Sequence, residues 1–221
     1  MNVNKDLRSI VAGLGRFVVF CALAALPVLL LRQDLKVPGN TIGEHSLVEL
    51  TQAGFLLASS AAFFALAALR RDDRRFGVLA GAFFAVALVR EQDALLDTLL
   101  FHGAWKYVAA PIALAALAWA GRGLRETLSS LARFLSSRAG TVMLLGMALL
   151  LFYSRLLGMT GIWTSVLGDG YVRTVKNVVE ETCELLAYGF VLASSVNYCA
   201  QRVRAFAREQ RKAGVPARQA L

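Results

Sequence analysis

A chain of 221 residues can form one compact domain, but 57% hydrophobic and only 18% charged residues, with a mean hydropathy of +0.56, exclude an ordinary water-soluble globule. The net charge of +9 and a pI near 10.0 would suit nucleic acid only if a basic face lay on a folded soluble domain, and here the basic residues cluster at helix ends. Three scattered cysteines, Cys21, Cys183 and Cys199, supply neither a disulfide framework nor a CxxC metal knuckle.

A membrane-crossing helix needs about 20 mostly apolar residues. That spacing predicts an all-α polytopic transmembrane bundle, a single six-helix domain over residues 1–221. The first span, 12–31, follows Lys5, Arg8 and Arg16. No small-x-small site follows the apolar run 17–31, and Phe20 before Cys21 spoils a lipobox, so the segment is expected to be retained and not cleaved as a signal. The second span, 44–69, carries His45, Glu49 and Gln52 along one stripe, while Thr41 and Glu44 have capping-box spacing. The third, 76–101, ends in the run Arg90-Glu91-Gln92-Asp93 followed by Asp97 and His102. On one continuous helix Arg90, Asp93 and Asp97 would share a face, with Glu91, Thr98 and His102 on a second.

The fourth span, 105–121, is bracketed by Trp105, Lys106 and Tyr107 at one end and Trp119 at the other, as interfacial anchors should be. Residues 122–138 place Leu124, Leu128, Leu131 and Leu135 opposite Arg125, Ser129 and Arg133, which predicts an amphipathic helix lying on the membrane surface. The fifth span, 139–158, brings in Arg155. The sixth, 177–199, carries Asn177, Glu181, Glu184, Tyr188 and Ser195 on one stripe with Glu180 beside it. It continues as a helical tail over 200–213, ended by Gly214 and Pro216.

Seventeen of the 24 Lys and Arg residues fall on one side of this arrangement and five on the other, so the positive-inside rule predicts both termini in the cytoplasm. Ten of the fifteen acids fall in the outer loops or within helices. Segments 49–60 (ELTQAGFLLASS) and 184–195 (ELLAYGFVLASS) match at eight of twelve positions. The match fits a parallel internal repeat of the kind found in transporters, or shared small-residue packing at Gly54, Ser59, Gly189 and Ser194.

Ionisable groups within spans cost about 2.5–3.5 kcal/mol each even on insertion scales, so they mark sites by default. The candidate binding residues are therefore Glu49, Gln52, Arg90, Glu91, Asp93, Asp97, His102, Lys106, Arg155, Glu181 and Glu184. All are expected in one acidic cavity in the outer half of the bundle, where carboxylates outnumber cations. Protonation, a metal ion or a cationic ligand must balance the surplus. The blocks Arg90-Glu91-Gln92-Asp93-Ala94-Leu95-Leu96-Asp97, His102-Gly103-Ala104-Trp105-Lys106 and Glu180-Glu181-Thr182-Cys183-Glu184-Leu185 resemble motifs in a loose group of uncharacterised bacterial multipass inner-membrane proteins. The resemblance covers about half of the chain and implies a location but no activity.

HExxH, P-loop, GxSxG and dinucleotide fingerprints are absent, and two histidines, His45 and His102, are too few for a two-haem cytochrome. Three functions fit. One is binding or transport of a cation, a proton-coupled solute or a lipid head group. Another is a membrane-embedded enzyme acting on a lipid, with a divalent cation such as Mg²⁺ or Ca²⁺ held by Asp93, Asp97, Glu181 or Glu184 and a proton moved by His102. The last is a structural subunit of a membrane complex. Expected partners are membrane lipids and other membrane proteins or a second copy, with no nucleic acid.

Overall fold

The computed structural model describes residues 3–36 and 46–212, and every regular element among them is helical. Thr41, Glu44, His45, Gly214 and Pro216 lie outside the described residues. In chain order the helices are α1 (Val3–Asp34), α2 (Leu47–Leu69), α3 (Arg74–Glu91), α4 (Asp93–Leu99), α5 (Trp105–Gly121), α6 (Leu124–Leu135), α7 (Arg138–Ala148), α8 (Ser154–Leu157), α9 (Thr160–Leu167) and α10 (Arg173–Lys212). A π-helical turn, Leu149–Tyr153, joins α7 to α8 in one rod.

Three stretches are long and apolar enough to cross a membrane, Asp6–Asp34, Leu47–Leu69 and Arg138–Leu157; the pair α5 and α6, bent by 102°, makes a fourth if counted as one. Length and composition therefore mark three or four spans. The expected third and sixth spans fall short because α3 carries Arg74, Arg75, Arg90 and Glu91 within 18 residues and α10 is diluted by charge along its 40 residues.

Two expected boundaries need correction. One is the start of the second helix, expected near 44. It starts at Leu47, where Ser46 Oγ accepts from the Glu49 amide at 3.2 Å and the buried Asp34 carboxylate accepts from the Leu47 and Val48 amides at 2.9 and 3.1 Å. A carboxylate facing the first free amides of a helix is stabilised by both hydrogen bonding and the helix dipole. The other is 76–101, which is not one helix. It breaks at Gln92 (φ −94°, ψ 23°) into α3 and α4; Asp93 still pairs with Arg90 at 3.4 Å, whereas Asp97 turns instead to the Gly103 amide and His102.

The expected amphipathic helix forms: α6 leaves α5 at 102° with Leu124, Leu128 and Leu135 outward, while Thr127, Ser130 and Phe134 turn into the bundle and Leu131, expected on the leucine face, packs against the core. A leucine face turned outward from a bundle suits a lipid environment.

At the centre, Phe63 of α2 stacks on Phe84 of α3 and meets Phe134 of α6 edge-on, and Phe134 meets Tyr198 of α10 at 4.8 Å between centroids. Helices α2 and α3 approach closely at Gly77, where a Cβ would lie 2.9 Å from both Phe63 O and Ala67 Cβ. Helices α2 and α10 run parallel, since Gln52 meets Glu181 near the start of both and Arg70 meets Glu209 near their ends. The echoed segments lie on these two helices. Ser59, Ser60, Ser194 and Ser195 are all buried, but Gly54 faces open space while Gly189 packs on Leu23 at 3.2 Å, so Gly54 is no packing position. Helix α1 is nearly bare, with 6% of its apolar stretch buried, and leans on α10 through Phe20–Phe190 and Leu23.

The arginine-rich helix ends gather at one end of the bundle. Arg75 pairs with Glu126 and donates to Trp119 O, while Arg133 and Arg202 both reach Asp73. The Glu-rich starts of α2 and α10 and the end of α3 form the opposite, acidic end.

Candidate functional site

The acidic end holds a polar network on four helices. From α8, Arg155 contacts Glu184 at 3.0 Å and Glu180 at 3.3 Å, and Lys176 contacts Glu180 at 2.9 Å. Two cations against two carboxylates balance. Ser154, fully buried, donates to Leu150 O at 2.6 Å with its hydroxyl 3.4 Å from Glu184 Oε1. The π turn puts these two residues in place: one extra residue in the helical ladder turns everything after it by roughly 100° relative to a plain α-helix.

Beside this balanced group lie Glu91 of α3 and Glu181 of α10, whose direct partners are neutral. Glu91 Oε2 accepts from Tyr188 Oη at 3.1 Å, and Glu181 Oε2 accepts from Gln52 Nε2 at 3.1 Å. Gln52 is fully buried, also donates to Glu181 O at 3.1 Å, and keeps its own Oε1 buried without a partner. The site therefore has two partly buried carboxylates and an orphaned amide oxygen, all acceptors. Buried polar atoms are rarely left without a donor, and buried charges are paired.

Glu91 also forms the wall between two openings. One is a cleft of about 250 Å³ lined by Glu49, Asp93 and Gln92; the other is a mostly apolar cavity of about 180 Å³ bounded by Arg90, Arg155, Tyr188 and Leu56.

The eleven sequence candidates thus separate into three sets. Gln52, Glu91, Arg155, Glu181 and Glu184 form the network. Glu49, Arg90 and Asp93 stand at its rim, with Arg90 3.4 Å from Asp93 on an exposed surface. Asp97, His102 and Lys106 belong instead to the turn between α4 and α5. There Asp97 Oδ1 accepts from the Gly103 amide at 2.8 Å and Oδ2 lies 2.7 Å from His102 Nδ1, while Lys106 sits over the Trp105 ring. The Gly103 amide, with help from the His102 hydrogen bond, holds the Asp97 carboxyl below the ordinary aspartate value. Gly103 itself has φ +82°, a conformation glycine adopts without strain.

The four suggested metal ligands do not come together. Asp93 is taken by Arg90, Asp97 by the turn, and Glu184 by Arg155; among the described residues no three His, Cys, Asp or Glu side chains converge on one ion.

The basic end also contains a network. Asp73 is fully buried and receives Arg202 Nε at 2.8 Å and Arg133 at 3.4 Å, with Arg70 Nε at 4.0 Å. The sequence signal was the acid pair Asp72-Asp73 set inside Arg70, Arg71, Arg74 and Arg75, a costly interruption if the segment were only a solvated basic run. Comparison of the chain with protein-family models, with curated proteins and with solved structures finds no match.

Proposed function

We propose that the chain is a six-span protein of a bacterial inner membrane, with α1, α2, α3, α5, the α7–α8 rod and α10 as its spans, and that its outer half binds a cation at Glu91 and Glu181. Supporting the topology, the basic helix ends lie together and the apolar flanks of α1, α5 and α7 are bare, as lipid-facing surface would be. Both termini are then cytoplasmic, the acidic end faces outward, and the location agrees with the resemblance to bacterial multipass proteins.

The observation that carries the functional reading is the pair of carboxylates served only by neutral donors, beside the orphaned Gln52 Oε1. A cation supplies what the protein does not, and a proton or a protonated amine needs no metal-like ligand shell. The cleft lined by Glu49 and Asp93 gives an approach from the acidic end, and Glu91, facing both openings, is the residue past which a transported ion would move.

Carbodiimide modification tests this, because the reagent adds to protonated carboxyls in apolar surroundings. In the purified protein, Glu91 or Glu181 should be modified, more at lower pH, and protected by sodium, potassium or tetramethylammonium added singly; peptide mass spectrometry locates the adduct. Unmodified carboxyls, or modification indifferent to pH and to every cation, would overturn the reading.

One observation favours a structural subunit instead: the Arg155, Glu180, Glu184 and Lys176 group is self-neutral. On that reading Glu91→Gln and Glu181→Gln weaken stability and assembly together, whereas on ours they abolish protection and leave the fold intact.

A further inference from the structure

Far from the acidic network, a cleft of about 890 Å³ lies between α1, α7 and α10 toward the basic end. Helix α1 touches α10 through Phe20–Phe190 and at Leu23–Gly189, and Ala12, Gly15, Arg16 and Val19 of α1 face Arg138, Ala139 and Val142 of α7 across the cleft. Small side chains keep it open, and the floor is tied by Ser194 Oγ donating to Ala139 O at 2.6 Å.

Its lining is divided. Arg16 of α1 and Arg138, the first residue of α7, stand at the polar end with Asn197 and Gln201 of α10, while Phe20 and Val142 form the apolar wall. No carboxylate lines the cleft, and among the described residues neither arginine is in an ion pair. At the same end Arg70, Arg75, Arg133 and Arg202 are paired; among the described residues Arg71, Arg122 and Arg125 are not, but it is Arg16 and Arg138 that face this cleft together. Arg138 also sits in the first turn of a helix, where an anion is favoured and a cation is not, so its charge is poorly placed unless an anion joins it.

We infer that this cleft is a binding site for one anionic phospholipid of the leaflet at the basic end. The phosphate lies between Arg16 and Arg138, the remaining head-group polar atoms meet Asn197 and Gln201, and an acyl chain runs along Phe20 and Val142. Charge complementarity selects the head group, since two arginine forks match phosphate oxygens. The volume falls within the usual range of about 300–1,000 Å³ for small-molecule sites. Basic pockets between membrane helices are favoured sites for anionic head groups. The inference needs a membrane around the bundle and is independent of the cation site and of which side faces the cytoplasm.

Native mass spectrometry of the full chain, released from micelles carrying phosphatidylglycerol or phosphatidylcholine, tests it. The wild type should retain one phosphatidylglycerol in preference to phosphatidylcholine. Arg16→Gln with Arg138→Gln should weaken that retention on the order of tenfold or more. Arg125→Gln, an exposed arginine on α6, should leave it unchanged. Ala193→Leu, which fills the cleft and leaves both arginines, should expel both lipids, and it keeps the test open if the double arginine variant fails to fold. Equal retention by the double arginine variant would overturn the proposal, as would an equal loss in Arg125→Gln, a cleft indifferent to Ala193→Leu, competition by inorganic phosphate as strong as by lipid, or replacement of lipid by a second copy of the chain. Glu91→Gln should bind lipid like wild type, so failure here and failure of the cation reading are read separately.

Discussion

Replacing Asp73 with alanine tests whether the basic end is a structural network or a loose collection of surface charges. Asp73 is fully buried, with Arg202 Nε at 2.8 Å, Arg133 at 3.4 Å and Arg70 Nε at 4.0 Å. Removing one member of a buried pair costs about 3–5 kcal/mol, because the partner charge stays behind uncompensated. The side chains of Arg133 and Arg202 are 42% and 20% exposed and can turn to water, whereas that of Arg70 is 5% exposed and its Nε and one terminal nitrogen already lack hydrogen-bond acceptors. The expected loss is therefore near the low end, about 3 kcal/mol. Asp73→Asn keeps the shape and one acceptor for Arg202 and should cost about half as much, the difference between a charged and a neutral hydrogen bond. Reversible unfolding in mixed micelles, followed by circular dichroism, measures both. A loss below about 1 kcal/mol for Asp73→Ala, or strict additivity with Arg202→Ala, would refute the buried-network reasoning.

In the same assay Gly77→Ala should cost about 1–3 kcal/mol by forcing α2 and α3 apart, while Gly54→Ala, facing open space, should be tolerated. Because the Asp97 pKa is depressed in the fold, the order it lends the α4–α5 turn is present above the ordinary value of 3.8 and is lost as the pH falls through the lower folded value. Hydrogen exchange at the Gly103 amide should report this, and Asp97→Ala should remove the protection at neutral pH. Double substitution of Arg155 and Glu184 should show coupling of about 0.5–3 kcal/mol, since they are in direct contact at 3.0 Å; additive losses would show that the pair contributes nothing.

Much of the helical framework was legible because the apolar runs and their charged ends are local signals. The ranges 105–121 and 139–158 agree with α5 and the α7–α8 rod, and the leucine spacing over 122–138 foretold α6. Charge patterning likewise anticipated a common basic end. What escaped has no local signature. The break at Gln92 involves neither glycine nor proline, and the π turn occurs in Leu-Leu-Leu-Phe-Tyr, a stretch with good α-helical residues. Half of the capping of α2 was local, in the Ser46-x-x-Glu49 spacing, but the other half comes from Asp34, 13 residues before Leu47, and could not be read from the residues next to it. For the site, the residue types were readable, and Glu91, Glu181 and Gln52, which the fold brings to one end of the bundle, were all singled out. Division into a balanced group, an unbalanced pair and a separate Asp97–His102 turn depended on that break and that π turn.

The placement of α10 has a consequence for how the protein is made. Gln52 and Asp73 each wait for a partner 129 residues further along the chain, and Glu91 for one 97 residues further along. During synthesis α1 and α2 can settle in lipid on their own apolarity, but on the proposed topology α3 brings its charges into the membrane before all of their counterparts exist. A nascent chain halted before α10 would hold Gln52 and Glu91 without these partners, and Asp73 with Arg133 and Arg70 but without Arg202, the condition that insertion chaperones shield and membrane proteases detect. The long last helix therefore acts as the step that commits the chain to its mature form, and variants truncated within it should be degraded as nascent chains before they can accumulate in misfolded form.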